Sequence, residues 1–65
     1  MEDNEIVARL KGWLFPLHDY WTEATTTKDE LKFAWMIDEI HNLIRDISGE
    51  DIKVDREGIH IPKQT

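Results

Sequence analysis

Residues 27–49 read TKDELKFAWMIDEIHNLIRDISG, and this stretch decides the fold. Phe33, Met36, Ile37, Ile40, Leu43, Ile44 and Ile47 follow one another at intervals of 3, 1, 3, 3, 1 and 3 residues. That rhythm lays one apolar stripe along a helix. Thr27 and Glu30 fit a capping box, in which a hydroxyl caps the first turn and a carboxylate reaches back to it. Gly49 supplies a left-handed stop. A helix over residues 27–48 follows.

Upstream, Ile6, Leu10, Trp13, Leu14, Leu17, Trp21 and Ala24 also recur at helical spacing. Val7, Leu14 and Trp21 form one row, and Leu10, Leu17 and Ala24 another, a seven-residue pattern with two apolar seams. Asp3 or Asn4 is placed to cap the start. Pro16 interrupts the segment, because its ring collides with the carbonyl of the residue four back and removes a hydrogen bond. The apolar pattern keeps its phase across Pro16, so the expectation is one helix over residues 3–24, kinked there. Thr25, Thr26 and Thr27 break it from the next.

Downstream the period changes to two. Ile52 and Val54 flank Lys53, and Ile59 and Ile61 flank His60. Asp55 opens a type I turn and Gly58 is expected to supply a positive φ at its end. This predicts a β-hairpin over residues 52–61, with Val54 opposite Ile59, Ile52 opposite Ile61 and all four on one face. Pro62 would end the second strand. The fold class is therefore α+β, mainly α: an antiparallel helical hairpin followed by a two-stranded β-hairpin, in one small domain over residues 1–65.

Composition narrows the function. The chain has 65 residues, fourteen acidic and eight basic, a formal charge of −6 and no cysteine. Disulfides and thiolate metal sites are excluded. The longest apolar run covers residues 33–37, too short to span a membrane. The acidic first five residues lack a following apolar core and do not read as a secretory signal, so a cytoplasmic protein is expected. The negative charge opposes direct nucleic-acid binding and anionic membranes, and it favours a basic partner.

No phosphate-binding glycine loop, nucleophile elbow or HExxH zinc motif occurs. His18, His41 and His60 fall one per segment. Asp38, His41, Asn42 and Arg45 share a stripe that would let Asp38 and His41 hold an ion, but such stripes are the ordinary polar face of an amphipathic helix. The paired carboxylates at 29–30, 38–39 and 50–51 diverge by about 100° on a helix and cannot share a proton. A chain this short is expected to have little room for a pocket of several hundred Å³. The expectation is no enzyme, no catalytic residue, no cofactor and no metal.

The informative residues are the apolar ones off the stripes. Leu31 and Trp35 lie one turn apart on the outer side of the second helix, and Phe15 opposite the first helix's stripe. With Trp13 they are the candidate partner-binding residues, since Trp is the residue most enriched at interface hot spots. The competing expectation is that the β-hairpin folds over Trp35. Size, acidity and missing motifs resemble those of small phage and mobile-element proteins that inhibit host enzymes; no motif carries that resemblance. The sequence thus points to a protein-binding inhibitor or adaptor, with a DNA mimic or a structural subunit of an assembly as alternatives. A homodimer is expected through Val7, Leu10, Leu14, Leu17 and Trp21 in a four-helix bundle. The strand edges near Ile59 and Ile61 compete for that role.

Overall fold

The computed structural model describes residues 2–60. Helix α1 spans Asp3–Glu23, helix α2 spans Thr27–Ser48, and strands β1 (Lys53–Asp55) and β2 (Gly58–His60) form an antiparallel hairpin. The two helices pack against each other with antiparallel sense. Their seam is Val7, Leu14 and Leu17 against Ile37, Ile40 and Ile44, closed by Ile52 from the hairpin's approach. Each such side chain contributes about 1.5–3 kcal/mol when fully withdrawn from water. Leu10, Trp21, Phe33, Met36, Ile47, Val54 and Ile59 pack around them.

α1 runs unbroken through Pro16. The carbonyl that Pro16 leaves without its helical donor belongs to Gly12. Both residues are exposed, so water can replace the lost bond. Capping differs from the sequence expectation at both helix starts. α1 is capped at Glu2 with no side-chain bond, and Asp3 and Asn4 lie inside the helix, where Asp3 suits the positive end of its dipole. α2 is capped one residue earlier than expected: Thr26 Oγ1 accepts the Asp29 amide at 3.2 Å. Three consecutive threonines offer the same chemistry, and the extended backbone at Thr26 selects among them. Gly49 ends α2 at φ 77°, its amide donating to the Arg45 carbonyl at 2.8 Å.

In the hairpin Lys53 pairs with His60, Val54 with Ile59 and Asp55 with Gly58. Ile52, Val54 and Ile59 face the helices as the alternation requires. The partner expected for Ile52 is Ile61, which with Pro62 lies outside the described residues. The turn has the expected register but not the expected glycine conformation. Only Arg56 and Glu57 lie between the strands, and Gly58 does not take a positive φ. Asp55 makes this possible: its Oδ1 accepts the amides of Glu57 at 2.9 Å and Gly58 at 3.0 Å.

Candidate functional site

The hairpin reaches both helices, and polar contacts add to the packing of Val54 and Ile59 on the seam. His18 Nε2 donates to the Asp55 carbonyl at 2.6 Å. Arg56 pairs with Glu30 and lies over the Trp21 ring, 5.1 Å from its centroid. Lys11 pairs with Glu50 at 2.6 Å, tying α1 to the segment that leaves α2. His41 Nε2 lies 2.9 Å from Asp51 Oδ1, tying α2 to the same segment. These contacts hold residues 51–54 beside α2.

Between that segment and the outer side of α2 lies a groove of about 970 Å³. Its base is apolar, with Ile37 and Ile52 buried and Trp21 half-buried. Leu31 and Trp35 stand along its α2 side and are each 65% exposed. Lys28, Lys32, Asp38, His41, Asp51 and Lys53 supply the polar rim. The groove is open to solvent, and its size overturns the expectation that so short a chain leaves little room for a pocket. The groove arises because the segment leading into the hairpin stands beside the helix pair.

The four candidate partner-binding residues do not converge. Leu31 and Trp35 share the groove. Trp13, also 65% exposed, and Phe15 lie on α1 outside it. They fall about 160° apart around that helix, at 100° per residue, so they do not form one patch with each other. The hairpin borders Trp35 without covering it. The stripe assigned to a second copy is used within one chain: Val7, Leu14 and Leu17 are buried in the seam, and Leu10 and Trp21 are half-buried against it. Little of it remains to offer a partner.

Sequence reasoning missed several groove residues. Trp21 lines it, and so do Lys53 and Val54 of β1. Lys28 and Lys32, like Leu31 and Trp35, are spaced one helical turn apart, so a basic row beside an apolar row was readable along α2. The position of residues 51–54 opposite them was not, because it depends on the direction the chain takes after Gly49. Tyr20, stacked on Phe33 with centroids 5.4 Å apart, and Leu43 are two further exposed apolar side chains outside the groove.

Desolvation raises the Asp55 carboxyl, but the amides of Glu57 and Gly58 and the neighbouring His60 together outweigh it and hold the group below its ordinary value of 3.8. His60 Nε2 is 3.2 Å from Asp55 Oδ2. Among the described residues no three histidines or carboxylates cluster so as to hold a metal ion. His41, a candidate ligand with Asp38, is paired with Asp51 instead, and Arg45 donates to Asn42 at 3.1 Å. No described helix is long and apolar enough to cross a membrane. No protein-family model matches the chain, and comparison with characterised proteins and with solved structures finds no significant match.

Proposed function

We propose that this chain is a non-enzymatic binding module, a small cytoplasmic inhibitor or adaptor that docks on a larger protein through the groove beside α2. The observation that supports this reading is the pair Leu31 and Trp35. Two large apolar side chains stand exposed one turn apart at the edge of an apolar groove. A lone exposed apolar residue carries no meaning, but an anchor-sized pair beside a cleft matches the anatomy of an interface core. Neither side chain belongs to the helix seam, so folding does not account for their size.

The test is capture of binding proteins from a cell extract on immobilised wild-type, Trp35→Ala and Trp13→Ala chains. A partner retained by wild type and Trp13→Ala but lost by Trp35→Ala is expected. Removing a tryptophan hot spot typically costs about 2 kcal/mol or more, roughly thirtyfold in affinity. Equal recovery on all three overturns the reading. A partner whose capture collapses as salt rises, with Trp35 irrelevant, would instead mark a DNA mimic.

A further inference from the structure

The groove differs in charge from the molecule that carries it. Carboxylates outnumber basic side chains fourteen to eight along the chain. Around the groove the order reverses, with Lys28, Lys32 and Lys53 against Asp38 and Asp51. None of the three lysines makes an ion pair among the described residues, whereas Lys11 and Arg56 elsewhere do. Lys32 lies over the Phe33 ring, 5.2 Å from its centroid. Asp51 already has His41 beside it. The net sign of the unpaired rim is positive.

The second feature is the backbone of β1. β2 is the strand packed toward α1, and β1 borders the groove. In an antiparallel pair, residues alternate between exchanging both hydrogen bonds with the partner strand and directing them away. The two-residue turn makes Asp55–Gly58 and Lys53–His60 the bonded pairs. The N–H and C=O of Val54 therefore point away from β2, and no other described backbone group meets them. An open strand edge of this kind is a template for another strand.

We infer that the groove binds an extended, acidic segment of a partner protein, which adds as a strand to the free edge of β1 at Val54. The inference rests on the binding role proposed above. Side chains of an added strand alternate. Those turned inward would be apolar and reach Leu31, Trp35 and the base at Ile37. Carboxylates flanking them would meet Lys28, Lys32 and Lys53. A basic segment would bring like charges together, and a helix would leave the Val54 backbone groups unused.

The experiment selects binders for the wild-type chain from a displayed library of random short linear peptides. Enriched peptides are expected to alternate apolar residues with Asp or Glu. On binding, the Val54 amide should become protected from hydrogen exchange, and Leu31, Trp35 and Lys53 should show the largest shift changes. The variant Lys28→Glu with Lys53→Glu should bind the selected peptides on the order of tenfold more weakly at low salt. Both side chains are exposed, and an unchanged far-UV circular dichroism spectrum checks that the fold persists. Groove binders without acidic enrichment, or helical binders that leave Val54 exchanging, overturn this inference and leave the binding role intact. A library yielding no groove binder overturns both. A doubled mass on sedimentation without peptide, with Val54 protected, would place a second copy there and also overturn it.

Discussion

α2 presents apolar side chains in two directions, and the two sets have different fates. Ile37, Ile40 and Ile44 turn toward α1 and are nearly inaccessible. Leu31 and Trp35 turn the other way and stay exposed. Both sets are regularly spaced and equally apolar. What separates them is whether the chain itself supplies a covering element. α1 covers the first set, while the segment leading into β1 stops beside the second. The inner set therefore accounts for stability, and the outer set is left over after folding is explained.

The sharpest way to break this comparison is to truncate one residue from each set. Ile44→Ala empties a fully enclosed position and is expected to cost about 3–4 kcal/mol. In a domain this small, that is most of the stability present. Trp35→Ala is expected to change stability by less than about 0.5 kcal/mol. Urea denaturation followed by far-UV circular dichroism measures both. Similar losses for the two variants would show that Trp35 belongs to the core.

A smaller effect is expected at Gly49, where the chain turns from the seam toward the groove. Any side chain there is strained at φ 77°, although no neighbouring atom obstructs it. Gly49→Ala should cost about 1 kcal/mol, whereas Gly12→Ala, within exposed α1, should be neutral or slightly stabilising. Thermal unfolding of the two variants tests the contrast.

The smallest expected effect is on the hairpin alone. The Asp55 carboxyl is depressed in the folded chain, so it contributes stability above the ordinary carboxylate range. That contribution is lost as pH falls below about 4 and through the depressed folded value. Chemical shifts of residues 53–60 should move toward unstructured values in that window while helical circular dichroism persists. Asp55→Ala should loosen the turn at neutral pH and weaken the hairpin's pH dependence in that window. Simultaneous loss of helix and hairpin would show that the two regions are one cooperative unit.

Much of this architecture was legible from periodicity. The interval pattern of α2 and the αL stop at Gly49 place the second helix, and the alternation around Lys53 and His60 places the strands. Finer details were set by backbone choices that side-chain patterns do not encode. Thr26 and Thr27 are chemically equivalent caps, so only the path of the chain distinguishes them. Leu43 fits the stripe but is 48% exposed, because it lies 100° round the helix from Ile44, at the edge of what α1 covers. The candidate site was half legible. Leu31 and Trp35 stand out as apolar residues off the stripe. Their association with Lys53 and Val54 is a long-range consequence of His18, Lys11 and His41 fastening the chain beyond α2.

The placement of the three tryptophans gives the molecule optical properties of its own. Trp13 and Trp35 meet water, and Trp21 is half-buried beneath the Arg56 guanidinium. Emission from the free chain should thus be weighted toward solvent-exposed indoles. Of the two exposed rings, only Trp35 borders the groove, so an occupant would dry one indole and leave the other wet. With Trp13 replaced by phenylalanine, the remaining change in emission would report groove occupancy from within the chain, with no attached dye.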